Sequence, residues 1–101
     1  MTHIVNGNCR FCRYTECVET CPVACFHVNE TRVYINPNVC IDCGACVSVC
    51  PVEAIMEDFD LPEDQIHWLD INAKAVSRYP VLQSKLDALP EADTRRADLG
   101  Y

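Results

Sequence analysis

"CIDCGACVSVCP", residues 40–51, carries four cysteines with the spacing C-x2-C-x2-C-x3-C, followed by a proline. A similar stretch, "CRFCRYTECVETCP", occupies residues 9–22. Its first two cysteines lie 31 residues before their counterparts in the later stretch, whereas its last two lie 29 residues before theirs. The chain therefore contains an internal duplication of about thirty residues. The first copy has two additional residues between its second and third cysteines.

The later stretch has the cysteine spacing that is typical of a 4Fe-4S cluster. A short loop with a cysteine at every third residue can wrap one corner of a cube and direct three thiolates at three irons. In two-cluster proteins, the fourth cysteine of such a run binds the other cluster. We therefore expect Cys40, Cys43 and Cys46 to share one cluster with Cys21. Cys50 should return to the cluster of the first copy.

Two other uses of cysteine fit this sequence poorly. Disulfides belong to oxidising compartments, but the N-terminus "MTHIVNGNCR" has neither the basic nor the apolar region of a secretion signal, and nine cysteines cannot all pair. Zinc ribbons use well-separated C-x2-C pairs rather than cysteines at successive three-residue steps. No apolar run approaches the length of a membrane span. We therefore expect iron–sulfur clusters in a protein without a membrane span.

The two additional residues in the first copy leave two outcomes open. Residues 13–16 can bulge outward and leave all three sulfurs of the first copy in place, which gives an eight-iron protein. Alternatively, they can move Cys12 away, so that only Cys9, Cys17 and the returning Cys50 hold the cluster. A cube with three protein ligands readily loses its unprotected iron, and a 3Fe-4S cluster remains. Geometry alone does not choose between these outcomes.

The stretches "CRFCRYTECVETCPVACF" and "CIDCGACVSVCPVEAI" resemble the seven-iron bacterial ferredoxins, which hold one 3Fe-4S and one 4Fe-4S cluster. The resemblance covers residues 1–57 and continues through 61–80, which are similar to the C-terminal extension of the longer members. It implies that Cys12 is a free thiol near the 3Fe-4S cluster. It also implies two ligand sets: Cys9, Cys17 and Cys50 for the 3Fe-4S cluster, and Cys21, Cys40, Cys43 and Cys46 for the 4Fe-4S cluster.

The ninth cysteine, Cys25, falls opposite Ala54 in the repeat, where a small apolar residue fits. We expect it to be a packing residue beside the 4Fe-4S cluster, because a buried thiol behaves as a small apolar group. The alternative is a reserve ligand or a redox-responsive thiol. The other candidate ligands and the tryptophan are expected to pack or to lie at the surface: His3, His27, His67 and Trp68.

The repeat also predicts the secondary structure. The apolar runs "HIV", "ACFHV" and "EAIME" and the alternating "RVYIN" indicate strands, and "NET" indicates a turn. Short helical segments, "TECVET" and "GACVSV", should precede each Cys-Pro-Val. The expectation is an α+β, ferredoxin-type dicluster fold with two βαβ-like halves related by a pseudo-twofold axis. The predicted apolar shell around the clusters comprises Val18, Val23, Phe26, Val28, Val33, Ile35, Ile41, Val47, Val49, Val52 and Ile55.

The chain changes character after Asp58. We expect residues 1–58 to form the dicluster domain and residues 59–101 to form a C-terminal extension packed on the same domain. Pro62 and the acids after it favour a helix start, and the apolar spacing predicts a helix over about 63–77. Residues 80–101 are expected to be an extended wrap or a loose tail. The predicted apolar face of the helix consists of Ile66, Leu69, Ala73 and Val76.

The charge and the clusters together point to a function. A net charge of −7 disfavours nucleic-acid binding and suits docking on basic patches of partner proteins. No nucleophile–base pair or phosphate loop is visible, so we expect an electron carrier rather than an enzyme. The resemblance implies a cytoplasmic, monomeric ferredoxin with a flavoprotein reductase, cytochrome P450 or nitrogenase-type acceptor as its partners. The alternative is a redox- or iron-responsive regulatory protein.

Acidic residues near the clusters carry two further hypotheses. Asp42, beside Cys43, and the acids within 57–64 are candidate docking residues. Glu16 lies next to Cys17 and is a candidate proton relay to the 3Fe-4S cluster. The simpler alternative is a surface acid that pairs with a lysine such as Lys85.

Overall fold

The computed structural model describes residues 2–41, 44–84 and 86–101. The described residues form a small α+β fold with four short strands. Single 3-10 turns at Gly7–Cys9, Asp58–Asp60 and Glu63–Gln65 separate some of the longer elements. The strands and helices are β1 (His3–Val5), α1 (Glu16–Thr20), β2 (Phe26–Val28), β3 (Val33–Ile35), β4 (Ile55–Glu57), α2 (His67–Ala75) and α3 (Ala92–Asp98).

The strands pair into two antiparallel two-stranded sheets. One sheet joins β1 to β4, with Ile4 opposite Met56. The other joins β2 to β3, with His27 opposite Tyr34. The first sheet therefore brings the two ends of the duplicated region together, whereas the second is a hairpin between the copies. The four predicted strands and the turn at 29–31 are confirmed.

Most of the predicted apolar shell is buried around the cysteines. Its buried members are Val18, Phe26, Val33, Ile35, Val52 and Ile55. The prediction is wrong for Val47, which is 37% exposed and lines neither of the two cavities that contain the cysteines. Val47 follows Cys46 directly in a tight loop, where neighbouring side chains point in different directions. Ile41 is 58% exposed, but it lines the cavity that contains Cys40 and Cys46.

The two predicted ligand helices differ. Helix α1 forms at Glu16–Thr20, as predicted, with two acids in its first turn. Residues 45–49 form turns instead of the second predicted helix. The N–H of Val47 reaches the carbonyl of Gly44 at 3.2 Å, and Gly44 has a φ of +75°. Two β-branched valines and a following Pro51 disfavour a longer helix here.

Helix α2 lies within the predicted range, but its buried face differs from the predicted one. Ile66 is 52% exposed and Ala73 is exposed, whereas Asn72 is fully buried and Ala75 is buried. The apolar periodicity was misleading because a polar residue makes the central contact of this helix. The helix is therefore rotated so that the amide side chain of Asn72, rather than the face predicted from Ile66, packs against the strands.

Asn72 joins α2 to one strand of each sheet. Its Oδ1 accepts hydrogen bonds from the N–H of Val5 at 3.1 Å and of Ile35 at 2.9 Å. Its Nδ2 donates to the carbonyl of Val5 at 2.9 Å and of Trp68 at 2.8 Å. One buried side chain thus satisfies two backbone N–H groups that neither sheet pairs.

The chain after α2 follows the surface of the cluster-bearing part and ends in α3. The carbonyl of Pro80 accepts from the N–H of Val28 at 3.0 Å, and the N–H of Leu82 donates to the carbonyl of Phe26 at 2.9 Å. Residues 80–82 therefore lie along β2 as an additional extended segment. An extended wrap was one of the two alternatives expected for residues 80–101, and residues 80–82 have that form, whereas the helix α3 was not predicted.

Candidate metal centres

Two cavities lie among the elements, and each is lined by four described cysteines. The first has an empty volume of about 320 Å³ and is lined by Cys9, Cys12, Cys17 and Cys50, together with apolar residues of β1, β3 and β4. The second has an empty volume of about 270 Å³ and is lined by Cys21, Cys25, Cys40 and Cys46. Each cavity therefore combines cysteines from both copies of the repeat.

None of the eight cysteines that the structure describes forms a disulfide. Their sulfurs line cavity walls instead of converging on one point. Within 2–41, 44–84 and 86–101, no three His, Cys, Asp or Glu side chains are placed to hold a single metal ion. Thiols distributed around an apolar cavity suit a polynuclear iron–sulfur group, which binds each thiolate at a different iron. The predicted ligand Cys43 and its neighbour Asp42 lie outside the described residues.

The Cys-Pro-Val motif folds in the same way in both copies. The residue after each motif is left-handed, with a φ of 53° at Ala24 and 51° at Glu53. This turn directs the next N–H back to the cysteine. The N–H of Cys25 lies 3.4 Å from Cys21 Sγ, and the N–H of Ala54 lies 3.3 Å from Cys50 Sγ. Such N–H···S hydrogen bonds stabilise a thiolate and help to set the potential of a cluster.

The insertion in the first copy folds into a strained loop beside the first cavity. Phe11, Arg13 and Thr15 have positive φ values of 64°, 44° and 59°. Left-handed non-glycine residues cost of the order of 1 kcal/mol each and persist where the surroundings fix them. The Thr15 hydroxyl provides one such restraint, since it accepts from the N–H of Leu86 at 2.8 Å and lies 2.9 Å from the Leu86 carbonyl.

The insertion leaves Cys12 in the wall of the first cavity. Cys12 is 1% exposed, and its Sγ donates to the carbonyl of Ala92 at 3.9 Å. Nearby, the hydroxyl of Tyr14 donates to Asp93 at 3.0 Å. The first turn of α3 therefore covers the inserted loop. The Cys12 Sγ therefore lies both in the wall of the first cavity and within hydrogen-bond reach of the Ala92 carbonyl.

Burial opposes ionisation at most of these thiols. It raises the pKa of Cys9, Cys17 and Cys25, and it raises the pKa of Cys12 to about 11, with the neighbouring Cys9 adding to this shift. Cys21 differs, because its pKa is lowered by backbone N–H donors despite its burial. A coordinating metal deprotonates its thiol ligands outright. Binding of iron would therefore supply the positive charge that these buried sulfurs otherwise lack.

A buried cation, Arg32, lies next to Val33, which is in the wall of the first cavity, and it was not predicted from the sequence. The guanidinium of Arg32 is buried and lowers the pKa of Cys9, against the larger effect of burial. The next residue, Val33, donates its N–H to Cys9 Sγ at 3.5 Å. A lone arginine in an alternating strand pattern gives no sequence signal of burial, because arginine is usually exposed.

The acidic and histidine residues considered in the sequence analysis lie in different places. Glu16 lines the first cavity at the start of α1. Its suggested partner Lys85 lies outside the described residues, and its role as a proton relay stays a prediction. Buried His3 lines the second cavity. His27 is buried, with Nδ1 2.7 Å from the carbonyl of Tyr79.

The histidine and tryptophan of α2 pack against one another. The rings of His67 and Trp68 have centroids 5.2 Å apart. A Cβ atom at Gly7 would lie 3.0 Å from Trp68, so the indole covers the 3-10 turn that carries Cys9. Trp68 is thus a packing residue, as predicted.

An acidic surface extends from β4 to the start of α2. Asp60, Glu63 and Asp64 are exposed, and Phe59 among them is 62% exposed. Exposed Ile66 continues this surface. Apolar side chains within an acidic rim are suited to a transient contact with a basic protein surface.

None of the helices formed by the described residues is long and apolar enough to cross a bilayer.

Comparison with known proteins agrees with the cysteine arrangement. The family model of the 4Fe-4S binding domain matches residues 33–56. A ferredoxin of Rickettsia felis is 40% identical over 95 residues, which cover 92% of this chain and 84% of that protein. Ferredoxin-1 of Caulobacter vibrioides is 44% identical over 93 residues, which cover 92% of this chain and 80% of that protein.

Proposed function

The chain belongs to the bacterial-type ferredoxins, iron–sulfur electron carriers rather than enzymes, and from this premise we propose that it holds one 3Fe-4S and one 4Fe-4S cluster. Through them it transfers single electrons between a reductase and terminal oxidoreductases. The observation that carries this proposal is the pair of cysteine-lined cavities, each with sulfurs from both copies of the repeat.

In this proposal the first cavity holds the 3Fe-4S cluster through Cys9, Cys17 and Cys50. All three line that cavity with Cys12. The assignment of three ligands rather than four is supported by the Cys12 thiol, which donates to the Ala92 carbonyl. It is supported further by the tail that holds the inserted loop at Thr15.

The second cavity holds the 4Fe-4S cluster. Cys21, Cys40 and Cys46 line it, and the cysteine spacing adds Cys43 as the fourth ligand. Cys25 packs beside this cluster, since it is buried and its Sγ lies 3.2 Å from Cys21 Sγ.

A pseudo-twofold relation between the halves is part of the proposal. Exchanging the two copies of the repeat maps β1 onto β3 and β2 onto β4. The observed pairs, β1 with β4 and β2 with β3, are each other's images under this exchange. The equivalent N–H···S turns at Cys21 and Cys50 support the same relation. Residues 1–58 form the cluster-binding domain, and residues 59–101 form an extension that Asn72 attaches to it.

When bound, such clusters supply one-electron oxidation and reduction. The chain contributes thiolates, backbone donors and exclusion of water. Phe26, Val33, Val52 and Ile55 are buried among the cysteines. Their apolar surface keeps the local dielectric low, so charges near the cavities act on the redox equilibrium more strongly than in water.

Partners are expected to recognise charge. With both clusters bound, the formal charge changes from −7 in the polypeptide to about −11. We propose that the acidic surface at 57–64, with exposed Phe59, docks on a basic patch of a flavoprotein reductase, a cytochrome P450 or a nitrogenase-type acceptor. The contact is small and transient, and the protein acts as a monomer in the cytoplasm. A regulatory role is not proposed, because the relatives are named as ferredoxins.

Voltammetry of the purified holo-protein on an electrode tests this function. The proposal predicts two one-electron waves for each chain, and mixing with a reductase and its reductant should bleach both clusters. A single wave, or a protein that a reductase cannot reduce, would contradict the proposal.

A further inference from the structure

Arg32 is a buried cation at the residue directly before β3. Its residue is 4% exposed. The guanidinium carbon lies 4.6 Å from the ring centroid of Tyr34 and 4.5 Å from that of Trp68. Nη2 donates to the carbonyl of Val5 at 2.8 Å. The side chain is thus held between two aromatic faces and a strand, so its charge has a fixed position.

This charge has little compensation within the described polypeptide. Among the described residues, the ionisable groups that influence the pKa of Arg32 are Cys9, Tyr34 and Arg10, and none is a carboxylate. Its Nε is buried and has no hydrogen-bond partner in the described part of the chain. Burial lowers the pKa of Arg32, yet a guanidinium remains charged in proteins. Aromatic faces offset only part of the cost of burying such a charge.

The anionic groups that can compensate it belong to the first cavity. Val5, whose carbonyl Arg32 binds, lines that cavity together with Cys9 and Val33. The N–H of Val33 donates to Cys9 Sγ at 3.5 Å. The groups that Arg32 contacts are Val5, Tyr34 and Trp68, and none of them lines the second cavity. Arg32 therefore lies beside the first cavity and not beside the second.

We propose that Arg32 is a positioning residue whose buried charge raises the reduction potential of the first cluster selectively. The inference rests on the proposed function, because it assumes an iron–sulfur cluster in the first cavity. Reduction by one electron from the electrode adds one negative charge there, and a fixed cation nearby stabilises the reduced form. Because Arg32 is buried, dissolved salt screens this effect little.

The size of the effect follows from charge interaction at an intermediate dielectric. A unit charge near a buried redox centre, at an effective dielectric of roughly 20, changes the equilibrium constant for reduction by about tenfold. For a one-electron couple, a tenfold change is about 59 mV.

Voltammetry of holo-protein variants tests the inference. In Arg32→Gln, we expect the reduction potential of the cluster in the first cavity to fall by about 59 mV at low and at high salt. The reduction potential of the cluster in the second cavity should not change. Arg32→Lys keeps the charge and should retain most of the wild-type potential. Arg10→Gln is the matched control, because Arg10 is exposed beside Phe11. Its effect should be small and should vanish at high salt.

Each outcome decides the question. An unchanged first wave in Arg32→Gln, or an equal shift of both waves, would overturn the role of Arg32. If the neutral variant does not retain its clusters, Trp68→Leu provides a second test, because it keeps the charge and admits water to it. In Trp68→Leu, the reduction potential of the first cluster should fall by less than in Arg32→Gln and should depend on the salt concentration. A potential equal to that of the wild type would overturn the inference. A wild-type protein without the first wave would instead contradict the proposed function.

Discussion

Replacing Asn72 with alanine tests the attachment of helix α2 to the cluster-bearing part of the chain. Asn72 is fully buried, and its Oδ1 accepts from the N–H groups of Val5 and Ile35. In Asn72→Ala both N–H groups lose their partner inside the protein. The carbonyl of Val5 keeps its bond from Arg32. The variant therefore leaves two buried donors unsatisfied.

The cost follows from these two donors. A buried N–H group without a partner costs about 1–3 kcal/mol, so the variant should lose roughly 2–6 kcal/mol. The total free energy of unfolding of a small protein is about 5–15 kcal/mol. With a slope of roughly 4 kcal/mol per molar guanidinium, the unfolding midpoint should fall by about 1 M.

The assay is loss of visible cluster absorbance against guanidinium concentration after a fixed time. Asn38→Ala is the control, since Asn38 is exposed. Its midpoint should match that of the wild type. If Asn72→Ala unfolds at the same denaturant concentration as Asn38→Ala, the bridging hydrogen bonds do not carry the stability assigned to them.

Removing the clusters with acid and a chelator should abolish most of the far-UV circular dichroism, because metal binding and folding are coupled, and a fully ordered apo-protein would contradict this. Deleting residues 83–101 removes the partners of Thr15 and Cys12. Alkylation of Cys12, followed by mass spectrometry, should become at least about tenfold faster as burial is lost, and an unchanged rate would show that the tail does not protect the thiol. Gly7→Ala places a Cβ atom 3.0 Å from Trp68. It should shift the tryptophan fluorescence and cost about 1 kcal/mol in thermal unfolding, and an unaltered spectrum would contradict the close approach.

The apolar and alternating runs predicted the strands well, because each run recurs at a fixed place relative to the cysteines of its copy. Four predicted strands are present, and the cysteines of both copies interlace around two cavities. The short helix α1 was predicted from its position before Cys21, and the same reasoning was wrong for residues 45–49 of the second copy.

Burial was hardest to predict from the sequence where a polar residue occupies a buried position. Apolar periodicity placed Ile66 on the buried face of α2, but Asn72 occupies it. Burial of Asn72 and Arg32 depends on backbone groups and aromatic rings that are distant in sequence. No local pattern encodes such partners. The same holds for the tail, whose position depends on a hydroxyl at Thr15.

Residue type alone also cannot tell which cysteines of the first cavity bind the cluster. Cys9 and Cys12 have equal claims as ligands from their type alone. Their surroundings differ, because Cys9 Sγ accepts an N–H from Val33 whereas Cys12 donates to a carbonyl. A sulfur that accepts a hydrogen bond from a backbone N–H is suited to be a thiolate, whereas a sulfur that donates a hydrogen bond must be a protonated thiol. This distinction requires coordinates.

Low-temperature electron paramagnetic resonance of the purified oxidised protein, with iron, zinc and inorganic sulfide counted in the same sample, tests the central claim most directly. Two iron–sulfur clusters of the proposed kinds predict about seven irons and eight sulfides per chain, with a 3Fe-4S signal in the oxidised state. Eight irons without that signal would make Cys12 a ligand and contradict the 3Fe-4S assignment. Zinc or paired cystines in place of iron and sulfide would contradict the account as a whole.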